Sequence, residues 1–175
     1  MHALLTRLPR KVLTLAFIMR ERVGTPPATS VAQVLLGEKL RGFGQGKWNG
    51  FGGKVDAGDA SIVAAAAREI REEANVEVRE RDLAPRGQLL FTFEGGREVL
   101  EVHVFMTAAF EGEPSESDEM KPQWFDVADI PYDKMWADDH IWLPHVLAGK
   151  SVNGAFHFSS DETTLLDHEL SVSEN

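Results

Sequence analysis

Apolar residues run from Val12 to Met19 with only Thr14 interrupting them, and a second largely apolar run spans Val31–Leu36. Runs this short, rich in Val, Ile, Leu and Phe, read as strands. Between them, Arg20–Ser30 carries Gly24, Pro26 and Pro27. It sustains neither period and is expected to be a loop, long for a hairpin, serving as a surface insertion or as a lid over a site. The apolar and alanine-rich run from Ile62 to Ala74 predicts a helix of about four turns. Ser61 or Asp59 can cap its start, and Asn75 can end it in a left-handed conformation. Gln88–Phe93 and Glu101–Phe110 predict a hairpin turning at 94–97, and Gln123–Val127 a further short strand. His140–Leu147 predicts a second helix that confines Pro144 to its first turn. Gly154–Ser159 and Thr164–Glu169 supply a last strand pair, after which residues 171–175 are expected to fray. Mixed strands with two helices on one sheet system give an α/β or α+β layered domain.

A length of 175 residues suits one domain, expected over 12–170. Residues 1–11 form a basic, acid-free lead-in, either disordered or a weak organelle-targeting leader. With no cysteine, disulfides, Cys-ligated metals and thiol nucleophiles are excluded, and any metal must be held by oxygen or imidazole. No apolar run approaches the roughly 18 residues of a membrane helix, so no membrane partner is expected. The formal net charge of −10 opposes polymeric nucleic acid, whose affinity comes from counterions displaced by Lys and Arg. It leaves room for a small phosphorylated ligand, because a divalent cation held by carboxylates supplies positive charge locally.

Two segments carry candidate chemistry. Residues 41–54 hold six glycines, too many for a helix or central strand, and their backbone N–H and carbonyl groups can serve phosphate and metal. Arg68-Glu69-Ile70-Arg71-Glu72-Glu73 places Glu69, Glu72 and Glu73 on one helical arc of roughly 100°. A solvated acidic face would produce the same letters. This arc, however, borders the apolar stripe of Ile62, Ala66, Ile70 and Ala74, and like charges at this spacing cost a few tenths of a kcal/mol without compensation. A bound cation is that compensation. Gly149-Lys150-Ser151 imitates the end of a P-loop, but Pro144 stands where the first Gly is required.

The stretch Gly53–Val76 resembles the Nudix box, a Gly, then a Glu, then Arg-Glu-aliphatic-x-Glu-Glu, closing on Gly and an aliphatic residue. Arg68-Glu69-Ile70-x-Glu72-Glu73 matches that core in full. Two positions depart from the pattern. The first Glu is absent, with Asp59 or Ala60 in its place and one extra residue before Arg68; whether Asp59 reaches Arg68 decides whether activity is kept or falls. The closing Gly is Asn75, which tolerates the same left-handed cap. Arg41–Val55, Glu116–Met120 and Trp136-x-Asp138-Asp139 with Trp142 extend the resemblance to the oxidised-purine nucleoside triphosphate hydrolase branch of the Nudix family.

That resemblance implies a Nudix fold, a mixed β-sheet sandwiched between helices, and hydrolysis of damaged purine triphosphates such as 8-oxo-dGTP and 2-oxo-dATP to monophosphate and pyrophosphate. Its magnesium ligands, with manganese as a substitute, fall on Glu69, Glu72, Glu73, Glu119 and the Gly52 carbonyl. Either Glu73 or Glu119 takes the proton from water, and Arg68 orients the acids. Lys39, Phe51, Gly52, Gly53 and Lys54 fall on the nucleotide. Base recognition falls on Asn49, Asp138 and Asp139, with Trp136 and Phe43 as stacking walls and Thr14, Phe91, Phe93 and Leu100 lining the remainder. Leu100 stands where relatives carry Met, so base preference is open. Burial of Asp138 beside Asp139 would raise a pKa and let one acid donate as well as accept; alternatively, the pair simply starts a helix. Alternative substrates include O6-methyl-dGTP, and a catalytically weak nucleotide-binding module is the remaining alternative. The resemblance further implies a monomer acting in the cytoplasm, with nuclear or mitochondrial pools.

Overall fold

The computed structural model describes residues 2–23 and 30–174. A short helix α1 (His2–Arg7) leads into strand β1 (Arg10–Val23), followed by β2 (Ser30–Lys39), β3 (Trp48–Asn49) and helix α2 (Ile62–Ala74). Next come β4 (Ala84–Phe93), β5 (Val99–Thr107), β6 (Met120–Asp126), helix α3 (Asp139–Leu147), β7 (Ser151–Phe158) and β8 (Leu165–Ser173). One mixed sheet runs in the order β3-β2-β1-β5-β4-β7-β8, with β6 on β2. The β1–β5 and β4–β7 pairs are parallel and the others antiparallel.

The uninterrupted apolar run of β1 follows from cover on both faces. Ala16 and Ile18 join Leu35, Phe105, Ala66, Ile70 and Ala74 beneath α2. Phe17, one residue out of phase, joins Val34, Leu36, Val104, Trp142, Leu143 and Val146 beneath α3. The period-2 alternation of a strand divides one run between two cores.

The six-glycine segment fills a wedge. β1 and β2 pair from Val23↔Ser30 up to Ile18↔Leu35 and then diverge. Residues 48–53 enter the gap, pairing Trp48 and Asn49 with β2, then Phe51 with Ala16 of β1. A short strand therefore exists where glycine content argued against one.

Most strands extend past their expected limits because pairing continues beyond the apolar residues. Arg20–Val23 and Ser30 belong to the β1–β2 ladder rather than to a loop; the remainder of that expected loop, 24–29, lies outside the described residues. β8 does not fray at 171, since Val172 and Ser173 pair with Val152 and Ser151. Residues 2–11 are not simply a lead-in, since they carry α1 and the start of β1. β5 ends at Thr107, short of Phe110, where the Thr107 hydroxyl accepts from Ala109 N at 3.0 Å and turns the chain. α3 begins at Asp139, and Pro144 is its sixth residue rather than part of its first turn. The carbonyl that this proline leaves without its helical donor belongs to His140, which is exposed and can meet water.

Candidate active site

The carboxylates are positioned by α2. Ser61 caps it, accepting from Ala64 N at 3.1 Å, and Asn75 ends it at φ 58°, ψ 30° with its N–H on the Arg71 carbonyl. The buried face carries Ala65, Ala66, Ile70, Ala74 and also Glu73. The acidic arc thus passes from core to solvent: side-chain exposure is 2% at Glu73, 13% at Glu69 and 53% at Glu72.

The wedge segment meets this arc. Phe51 and Ala16 exchange backbone bonds at 2.9 and 2.7 Å, and Thr14 N donates to the Gly53 carbonyl at 2.8 Å. Between them the Gly52 N–H donates instead to Glu73 Oε2 at 2.9 Å. A Cβ on Gly52 would lie 2.0 Å from the Thr14 carbonyl oxygen, and one on Gly53 would lie 2.6 Å from Glu69 Oε1. Only glycine lets backbone and acids approach this closely.

Each acid is held by a cation. Arg68 grips Asp59 through Nε and Nη2, both at 2.9 Å, and reaches the Lys54 carbonyl at 3.1 Å. Its Nη1 touches Glu69 at 2.9 Å and Glu72 at 3.0 Å. Hydrogen bonding to Arg68 holds the Asp59 carboxyl down to about 2. Lys39 Nζ lies 3.3 Å from Glu73 Oε1 and 3.1 Å from Glu119 Oε2, and Arg41 lies 3.0 Å from Glu119 Oε1. Burial pushes Glu73 up to about 7 despite the Gly52 N–H and Lys39. Burial raises Glu69 as well, with Arg68 opposing. The Arg41 and Lys39 hydrogen bonds hold Glu119 below the usual carboxylate range. Burial disfavours the Lys39 ammonium, but Glu73 and Glu119 outweigh it and raise its pKa.

Beside these acids opens a cavity of about 490 Å³. Phe91, Phe93, Phe158, Leu100 and Trp136 form apolar walls, with Thr14, Lys39, Asn49, Glu119, Asp138 and Asp139 as polar lining. The Thr14 hydroxyl is buried, lines the cavity and has no hydrogen-bond partner among the described residues, so a water or a ligand atom must complete it. Phe43, 55% exposed, stacks on Trp136 with ring centroids 4.8 Å apart. Both aspartates are 2% exposed. Asp138 Oδ2 accepts from Trp142 Nε1 at 2.7 Å, and Asp139 Oδ2 from Trp136 N at 2.9 Å. Burial pushes Asp138 up to about 6. Burial and the charge of Asp138 together push Asp139 well above the carboxylate range. Starting the helix and facing the cavity are compatible roles, because Asp139 is the first residue of α3 and also lines the cavity.

Two of the expected residues do not line the cavity. Phe51 is fully buried in the core under α2, because its bridge to Ala16 puts both side chains on that face. Lys54 is exposed and does not line the cavity; its carbonyl serves Arg68 instead. Sequence reasoning missed Arg41 and Lys47, which flank the glycines and line the cavity. It also missed the Trp142–Asp138 bond, whose signal is the four-residue helical spacing.

The donor set fits a hard divalent cation: carboxylate oxygens from Glu69, Glu72, Glu73 and Glu119, with the Gly52 carbonyl outside the β1 ladder that engages Phe51 and Gly53. As the side chains stand, however, no three acidic or imidazole groups among the described residues converge at ligand spacing. Lys39 bridges Glu73 and Glu119 and Arg68 bridges Glu69 and Glu72, so an ion that takes those oxygens must displace these contacts.

Residues 19–146 match the NUDIX domain. The chain belongs to the Nudix family. The Nudix fold carries over to solved structures: the MutT mutator protein of Bacillus halodurans superposes with a TM-score of 0.75 at 27% identity, over 92% of this chain and 97% of that one. An oxidized purine nucleoside triphosphate hydrolase of Danio rerio is 44% identical over 165 residues, 94% of this chain and 97% of its own. The Mus musculus protein of the same name is 44% identical over 138 residues, 79% of this chain and 86% of its own. Within the Nudix box, Asp59 takes the contact to Arg68 that the missing glutamate leaves open, and Asn75 adopts the left-handed cap of the missing glycine.

Proposed function

We propose that this Nudix hydrolase cleaves oxidised purine nucleoside triphosphates, such as 8-oxo-dGTP and 2-oxo-dATP, to the monophosphate and pyrophosphate. The observation that carries this reading is a cavity of about 490 Å³, aromatic-walled and ending on two buried aspartates, that adjoins the carboxylate rim. The likeness to hydrolases of that name over nearly the whole chain supports it. Stacking between aromatic walls suits any purine, so selection falls to the polar groups that read the base edge. Burial and the neighbouring charge of Asp138 favour the protonated form of Asp139, so the pair can donate as well as accept. Such a pair can face a base edge in either tautomer.

Glu69, Glu72, Glu73, Glu119 and the Gly52 carbonyl would hold magnesium, with manganese as substitute. When bound, the ion neutralises the triphosphate and acidifies a coordinated water. Water attacks the α-phosphorus, the bond to the bridging oxygen breaks, and pyrophosphate leaves. Either Glu73 or Glu119 takes the proton from water; in the metal-free protein burial pushes Glu73 up to about 7 while Arg41 and Lys39 hold Glu119 low, and a bound cation lowers both. Arg68, braced by Asp59, orients Glu69 and Glu72. We place the enzyme in the cytoplasm as a monomer, with access to nuclear or mitochondrial nucleotide pools; no helix among the described residues is long and apolar enough to cross a membrane.

The test is product identification with 8-oxo-dGTP, 2-oxo-dATP, O6-methyl-dGTP and dGTP at equal concentration. Pyrophosphate released fastest from the oxidised purines is expected. Orthophosphate as the first product would overturn the chemistry, and preference for O6-methyl-dGTP would overturn the substrate.

A further inference from the structure

Lys39 belongs to two places at once. Its side chain lines the cavity, while its Nζ bridges Glu73 Oε1 at 3.3 Å and Glu119 Oε2 at 3.1 Å. Glu73 is 2% exposed, and a cation beside its ionised form offsets part of the cost of that burial. Arg68 cannot fill that role, because its donors are committed to Asp59, Glu69, Glu72 and the Lys54 carbonyl. The ammonium and a divalent ion therefore compete for the same two acids.

We propose that Lys39 is a displaceable counter-ion coupling the metal centre to the nucleoside cavity. Without a divalent ion it bridges Glu73 and Glu119; once an ion takes those oxygens, Lys39 is freed to bind the purine or sugar. The inference rests on the metal reading given above. Its physical basis is Coulombic: an ammonium left beside two neutralised acids and a divalent ion is repelled from them. Its flexible four-carbon stem lets it move, and the cavity it already lines holds the unpartnered Thr14 hydroxyl and the Asp138–Asp139 wall. An electronegative atom of a bound purine completes its hydrogen bonding there. Ion and nucleoside then favour each other's binding, and the coupling is reciprocal.

A nucleoside without phosphates separates this coupling from ordinary chelation. Binding of 8-oxo-2′-deoxyguanosine to the full chain, followed by tryptophan fluorescence with and without saturating Mn²⁺, is expected to tighten about fivefold or more with the ion. Mn²⁺ affinity, read by electron paramagnetic resonance, is expected to rise by the same factor with the nucleoside. In Lys39→Met, or in Lys39→Gln if the first variant folds poorly, both factors are expected to fall to about 1, whatever happens to either affinity alone. Mn²⁺ binding without coupling in the unmodified protein, or coupling that survives in the variants, would overturn the inference and leave the metal reading standing. No Mn²⁺ binding at all would remove both.

Discussion

Asp59 shows how a single residue can restore a motif that looks broken. It is one methylene shorter than the glutamate of the Nudix pattern, yet the extra residue before Arg68 brings both of its oxygens within 2.9 Å of the guanidinium. Asp59→Ala is therefore expected to lower kcat about 10–100-fold, as loss of a residue that orients metal ligands does, with KM little changed. Steady-state kinetics with Asp59→Glu as the conservative comparison checks this. Glu73→Gln makes the opposite trade. It is expected to abolish turnover, while thermal unfolding at pH 8 without added metal shows a higher midpoint, because a charge whose burial pushes its pKa up to about 7 has been removed. The Asp138–Asp139 pair, proposed above to read the base, yields a pH signature. Burial raises both Asp138 and Asp139 above their ordinary carboxylate values, so raising the pH removes protons from the pair and changes which base edge it matches. The ratio of kcat/KM for 8-oxo-dGTP to that for 2-oxo-dATP is expected to vary with pH, and to lose most of that variation in Asp139→Asn.

At the scale of elements, α2 does more than present acids. Its cap residue Asn75 donates from Nδ2 to Ser115 Oγ at 3.0 Å and to the Ser115 and Glu116 carbonyls. Ser117 Oγ donates to the Glu73 carbonyl at 2.9 Å. The end of α2 is thereby tied to the loop that carries Glu119. Asn75→Ala is expected to cost about 1–2 kcal/mol in urea unfolding, combining left-handed strain with lost hydrogen bonds. Asn75→Gly keeps the backbone geometry but loosens the loop, so its stability is expected to change less than its kcat. The helix and its cap were legible in the letters, because alanine content, Ser61 and Asn75 act locally. The place of Pro144 was not legible, because a proline's local effect as a helix breaker is overridden in α3, where the carbonyl it strands belongs to an exposed residue and the packing of Trp142, Leu143 and Val146 holds the helix.

For the whole molecule, the buried acids set the pH dependence of stability. Glu73, Asp138 and Asp139 all have folded pKa values above their ordinary ones, so the native state holds more protons than the unfolded chain between about pH 4 and 7. Stability without divalent ions is expected to fall as pH rises through that window. Asp59 and Glu119 are shifted down and act with the opposite sign, but only below their ordinary carboxylate values. A maximum at about pH 4–5 follows, and magnesium is expected to raise the unfolding midpoint more at pH 8, where Glu73 is ionised, than at pH 5. Calorimetry across pH with and without the ion tests both. What the sequence determined by itself was whatever spacing and composition encode locally: the acidic arc, the apolar runs, the cap residues and the Gly-rich connection. What only the tertiary structure decided was where those pieces meet. Divergence of β1 and β2 opens the wedge that carries Gly52 to Glu73, turns Phe51 into the core and leaves Lys54 in solvent. The burial that shifts Glu73, Asp138 and Asp139 arises only when strands and helices distant in the chain close over them, and no local pattern of letters contains that distance.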